Sequence, residues 1–180
     1  NDYTAYNRTK GGLKAFYKTD LTTLTIAELQ QKQKDRDIFA AGRYQMVPDT
    51  INGAVKKLEL ASTLKFDEET QDKIFEEYLI KVKRKAFIQY LEGDGDVEKA
   101  AYAWALEFAS AGVRKGKTIS PVPKKDEHGN IEMKDGKPVM LARVASFEGQ
   151  SYYAGDGLNT AHILPADMVR VLEESKNNGK

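Results

Sequence analysis

The densest group of residues able to do chemistry is Phe39-Ala-Ala-Gly-Arg-Tyr-Gln-Met-Val-Pro-Asp-Thr50. Gly42 is followed by Tyr44 and Gln45, and Pro48 stands where a first helical residue would stand. That spacing sets an aromatic ring and an amide at a helix entrance. Gln45 suits hydrogen bonding to a neutral polar ligand, and Tyr44 suits stacking on an apolar face. The same residues also suit an ordinary loop closed by a glycine turn. Elsewhere the chemistry thins out. Ser146 and Ser151 have no local base, so a serine hydrolase is not supported. His128 and His162 lack a partner at ligand spacing and read as surface residues. Gly93-Asp-Gly-Asp96 has the look of a calcium loop without its full ligand spacing, and Asp96 is needed as a helix cap.

Composition narrows the classes further. The chain has 180 residues, 41% hydrophobic and 31% charged, which suits one domain with a real core and a well-solvated surface. No apolar run approaches the roughly 20 residues of a membrane span. Lys and Arg number 28 against 27 Asp and Glu, so a partner held through its phosphates, such as nucleic acid, is not expected. The absence of cysteine removes disulfides, thiol nucleophiles and Cys-based metal sites, and leaves the compartment open. The sequence starts at Asn1 with neither an initiator Met nor a signal-peptide pattern, and reads as a processed product or a piece of a longer protein.

These residues must be positioned by elements that the sequence predicts in order. The first twenty residues, polar, Tyr-rich and broken by Gly11-Gly12, read as a surface loop. Thr25-Ile-Ala-Glu28 is a capping box opening a helix over 25–36, and Pro48 opens a second helix to about Leu60. Asp67 caps the longest predicted helix, 68–91, whose apolar face combines Ile74, Phe75, Tyr78, Leu79, Val82 and Ala86. Its acids lead and its bases follow, an order that complements the helix dipole and marks a solvated surface. Asp96 caps the next helix. Val97, Ala100, Ala101, Trp104, Ala105 and Phe108 form its core stripe, with Gly112 as its end. Residues 118–144 predict a three-stranded meander with an Asp135-Gly136 hairpin, inserted at about 113–145. A Gly- and Tyr-rich loop over 149–157 and a last helix over 165–175 with a frayed tail complete the chain. The expected class is α+β, mainly helical, in a single domain.

Gly42-Arg-Tyr-Gln45-Met-Val-Pro48-Asp-Thr50 resembles the Gly-x-x-Gln-x-x-Pro-x-Thr signature of lysozyme-superfamily enzymes, best known from lytic transglycosylases. The wider chain is similar to a lysozyme-like group found in phage endolysins and type VI secretion effectors. The matching pieces are Asp2-Tyr3, Tyr6-Asn7, Asp20-Leu21, Leu24-Thr25-Ile26 with Glu28, the Phe39 to Thr50 run, Gln71-Asp72 with Phe75, and Ser151-Tyr-Tyr-Ala-Gly155. The similarity covers most of the chain but not the insertion.

The resemblance implies a lysozyme-like fold with a cleft between the N-terminal region and the helices. It implies cleavage of the β-1,4 bond between N-acetylmuramic acid and N-acetylglucosamine in peptidoglycan, by a muramidase or a lytic transglycosylase. That reaction needs a carboxylic acid held protonated beside the leaving oxygen. In the group the acid is a Glu just ahead of the segment matching Asp2-Tyr3, which would place it before Asn1. Within the sequence, Glu28 and then Asp20 are the carboxylates in matching segments, each with an ordinary reading: Glu28 as the cap's third residue, Asp20 as a loop Asp. Substrate contacts are expected from Tyr6, Asn7, Tyr44, Gln45, Thr50 and Tyr152. Tyr152 and its neighbour Tyr153 are equally open to a structural use, and Trp104 belongs with the core. No metal or organic cofactor is implied. The implied partner is the peptidoglycan strand, in the periplasm or at the cell wall. An effector of this kind would be met by a cognate inhibitor, for which the insertion is the expected recognition site. The other readings are a glycan-binding domain without the acid, and a structural domain of a phage tail or secretion spike.

Overall fold

The computed structural model describes residues 2–7, 17–18, 20–155 and 160–179. The loop expected across residues 8–16, the close of the Gly-Tyr loop at 156–157 and the last tail residue lie outside the described residues. The protein is α+β. Its contacts divide it into two compact units, Asn1–Lys85 and Ala86–Lys180.

The first unit is built on short strands and capped helices. Strands β1 (Ala5–Asn7), β2 (Tyr17–Lys18) and β3 (Ala40–Ala41) form an antiparallel sheet in the order β2-β1-β3. This corrects the expected N-terminal loop. Strands of two or three residues are too short for a period-2 pattern to emerge, and pairing rather than propensity defines them. Helix α1 (Ile26–Lys34) starts as expected: the Thr25 side chain accepts from the Glu28 backbone, and the Glu28 carboxylate accepts from the Thr25 backbone. Helix α2 (Pro48–Leu58) has Pro48 in its first turn. Leu21, Ile26, Leu29, Ile38, Met46, Ile51, Phe66 and Ile74 make the core, with Tyr6 buried among them.

The long helix expected over 68–91 is three segments. Helix α3 (Glu68–Lys73), capped by the Asp67 side chain on the Thr70 N–H, passes into a π-helix over Ile74–Lys83. The Arg84 N–H donates to the Leu79 carbonyl at 2.8 Å, and Arg84 itself leaves helical geometry (φ −120°, ψ 43°) before helix α4 (Lys85–Glu92) begins. A helix closed by i→i+5 bonds brings residues five apart onto one face. Ile74 and Leu79 are therefore buried together in sequence step, while Val82, expected on the apolar face, is exposed.

In the second unit, helix α5 (Val97–Ala105) is capped by the Asp96 side chain on the Lys99 N–H. It ends at Ala105 rather than at Gly112, and Gly112 belongs to strand β4 (Gly112–Val113), which pairs with β9 (Gln150–Ser151). Ala100 and Ala101 meet Met168 and Leu172 of helix α6 (Pro165–Asn178). The expected meander is instead two two-stranded ribbons. Strand β5 (Thr118–Pro123) pairs with β8 (Met140–Val144), and β6 (Met133–Lys134) pairs with β7 (Lys137–Pro138) across the expected Asp135-Gly136 turn. Arg114 anchors the ribbon's base, donating two bonds to Glu98 (3.0 and 2.7 Å) and one to Glu148 (2.8 Å). Among the described residues no helix is long and apolar enough to cross a membrane.

Candidate functional site

The run singled out in the sequence folds as a tight turn between β3 and α2. Ala41 and Met46 exchange backbone hydrogen bonds of 3.1 and 2.9 Å across it. Two residues take left-handed backbone: Gly42 at φ +75° and Gln45 at φ +49°. The turn is stitched to the N-terminal strand. The Gly42 N–H donates to the Ala5 carbonyl at 2.8 Å. Gln45 Nε2 donates to the carbonyls of Gly42 (2.8 Å) and Ala5 (3.2 Å), while its Oε1 accepts from Asn7 Nδ2 at 3.2 Å. Three side-chain bonds hold a non-glycine residue in a backbone region that costs of order 1–3 kcal/mol. Both donors of the Gln45 amide are thereby committed inside the fold.

On the opposite side the turn rests on Gln71, which is fully buried. Gln71 Oε1 accepts from the Arg43 N–H, and its Nε2 donates to the carbonyls of Tyr3 and Phe66, all at 3.0 Å. A Cβ added to Gly42 would stand 2.0 Å from Gln71 Oε1, so both space and φ require glycine there. Thr50 is buried at the start of α2, and its hydroxyl accepts from Lys83 Nζ at 2.7 Å.

Beside Gln71 lies a carboxylate that gathers two phenols. The Tyr44 hydroxyl donates to Asp72 Oδ1 at 2.8 Å, and the Tyr3 hydroxyl donates to both Asp72 oxygens at 3.1 Å. The Tyr44 ring stacks on Phe75 with centroids 4.1 Å apart, which uses one of its faces. Burial first, and then the bond to Asp72, push the Tyr44 phenol up to about 12. The same two causes, in the same order, raise Tyr3. The exposed Arg43 guanidinium lies 5.2 Å over the Tyr3 ring and opposes that rise.

The structure thus brings Asn7, Tyr44 and Gln45 together, joined by three residues not chosen from the sequence as site residues: Tyr3, Gln71 and Asp72. Tyr6 is buried in the first unit's core and Thr50 lies at the foot of α2. Tyr152 stands in the second unit, edge-on to Tyr102 (6.5 Å) and Tyr153 (5.0 Å), and the Tyr153 hydroxyl donates to the Leu106 carbonyl at 2.7 Å. Those contacts are packing. Trp104 is packing too, between Phe87 at 5.1 Å and Phe108 at 4.4 Å.

The two carboxylates ranked from the sequence differ from a proton donor's needs. Glu28 is exposed, and the Thr25 backbone N–H and then the Thr25 hydroxyl hold its carboxyl below the ordinary Glu range. A general acid needs the opposite shift. Asp20 is also exposed, and its Oδ1 accepts from the Thr22 hydroxyl in a local turn. Asp72 was visible only as part of the Gln71-Asp72 pair. Its partners at positions 3 and 44 are joined to it by the fold and by no local spacing. No family model matches the chain, and neither a curated protein nor a solved structure matches it.

Proposed function

We propose that the chain is a peptidoglycan glycosidase domain that cleaves between N-acetylmuramic acid and N-acetylglucosamine, with its general acid carried ahead of Asn1, where the resemblance puts it. The observation that carries this reading is the stitching of the Gly-x-x-Gln turn to β1 by Gly42 and Gln45. The motif residues hold the segment that the resemblance makes the continuation of the acid. Tyr3, fixed by Asp72 and by Gln71, is the clamp closest to that point. On this reading Gln45, Asn7 and Tyr44 are positioning residues. They set where the acid stands relative to a sugar ring instead of contacting it with every polar atom. A donor must lie within hydrogen-bond reach of the glycosidic oxygen, so a rigid entry strand has direct kinetic value. Such an enzyme would act in the periplasm or at the wall.

A second reading is favoured by one specific observation: the Glu28 carboxylate is engaged in capping α1, accepting from the Thr25 N–H at 2.7 Å and the Thr25 hydroxyl at 2.9 Å. If no acid is supplied elsewhere, the domain binds glycan without cutting it. The test incubates purified sacculi with the 180-residue chain and, in parallel, with the product of the whole gene. Soluble glycan released by the whole product, and greatly reduced in its Gln45→Ala variant, supports the enzyme. Retention on sacculi without release by either protein supports the binding domain.

A further inference from the structure

The ribbon of β5 and β8 has two edges, and they are finished differently. Along the outer edge of β5 the backbone is already occupied. The Thr118 carbonyl accepts from the Tyr102 hydroxyl at 2.8 Å, and the Ser120 N–H donates to the Tyr152 carbonyl at 2.9 Å. The Ser120 carbonyl accepts from the Arg143 guanidinium, and Pro123 has no N–H to offer. Along β8 the alternation runs the other way. Ala145 donates to the Lys117 carbonyl and Val139 accepts from the Lys124 N–H, so the odd-numbered residues face β5. Met140, Ala142 and Val144 therefore turn their N–H and C=O groups outward, and β8 has no second neighbour among the described strands.

An open edge is usually blunted by proline, charge or a bulge. Here Met140, Leu141 and Val144 are exposed along it, and nearby Met133 and Phe147 are each 59% exposed. The cations of the ribbon are in a small surplus, six Lys and Arg against four Asp and Glu over residues 117–144. Lys124 pairs with Glu132 at 2.8 Å, and Asp126 is taken up by the amides of His128 and Asn130. Lys117, Lys125, Lys134 and Lys137 have no acidic partner among the described residues. A second copy of the chain would set those lysines against themselves. A lipid surface would leave the outward N–H groups unbonded.

We propose that the outer edge of β8 receives an extended, acidic strand of a partner protein, which adds to the ribbon as a third strand. Backbone bonds to Met140, Ala142 and Val144 give the affinity, the apolar side chains give the register, and the lysines select acidic side chains. The test uses the full chain and a short capped peptide alternating glutamate with valine. Binding should slow amide hydrogen exchange at Ala142 and Val144. It should fall at least about tenfold for a peptide N-methylated on its pairing amides, for a lysine-for-glutamate peptide, and for the Lys134→Glu/Lys137→Glu variant. Ala142→Pro, at a position whose N–H bonds nothing among the described residues, should abolish it. Unchanged exchange at Ala142 and Val144, equal binding of the lysine peptide, protection that follows self-association of the chain, or protection by anionic vesicles alone would each overturn the proposal.

Discussion

Gly42 is the residue on which the turn depends most. Its φ of +75° is costly for any side chain, and the space a Cβ would need is held by the amide of Gln71. Gly42→Ala is expected to destabilise the protein by about 3 kcal/mol, combining left-handed strain with displacement of a buried, hydrogen-bonded side chain. Urea unfolding measures this directly. A loss below about 0.5 kcal/mol, the range of ordinary surface changes, would mean that Gln71 does not grip the turn. Tyr44 gives a second residue-scale expectation. Its phenol ionises near 10.0 in an unfolded chain and at about 12 in the folded one. Below pH 10 the tyrosine is protonated in both states and its contribution to stability is complete. Between pH 10 and about 12 the unfolded chain loses the proton first, so stability falls as pH rises and the contribution is gone above that window. In Asp72→Asn the Tyr44 titration, followed by its ultraviolet absorbance, should move down toward the ordinary value without reaching it, because burial remains the larger cause.

At the scale of elements, the caps were the most readable part of the sequence. Thr25, Asp67, Asp96 and the prolines at 48 and 165 each mark a helix start in the structure. The reason is locality: a cap joins residues two or three apart and owes nothing to the rest of the fold. Thr25→Ala should therefore cost about 1 kcal/mol. Glu28→Gln keeps a side chain that can accept from the Thr25 N–H, so it should preserve both the helix and the rate of sacculus digestion. A loss of digestion by Glu28→Gln in a folded protein would return that carboxylate to catalysis. Elements defined by distant partners were not readable. Strands β1, β2, β4 and β9 have only two or three residues, and an apolar repeat does not tell α from π winding around Ile74 and Leu79. The Tyr3–Asp72–Tyr44 cluster was hidden for the same reason, since its members lie 69 and 28 residues apart.

For the molecule as a whole, the sequence pattern and the structure agree on an α+β protein, and the motif-bearing turn lies in the first unit. Every residue of the Gly-x-x-Gln-x-x-Pro-x-Thr motif has a structural task there: a left-handed turn, a three-bond amide stitch, a helix start and a buried hydroxyl. Such a framework is consistent with presenting one chemical group from the segment that enters β1, and the near-balance of charge gives no long-range pull toward or away from an anionic wall. The most direct measurement is mass spectrometry of the muropeptides released from purified peptidoglycan by the product of the whole gene. Fragments ending in muramic acid, either as the reducing sugar or in its anhydro form, are the expected result, the first marking a muramidase and the second a lytic transglycosylase. Intact glycan strands after prolonged incubation with folded protein, or fragments cut only in the peptide, would contradict it.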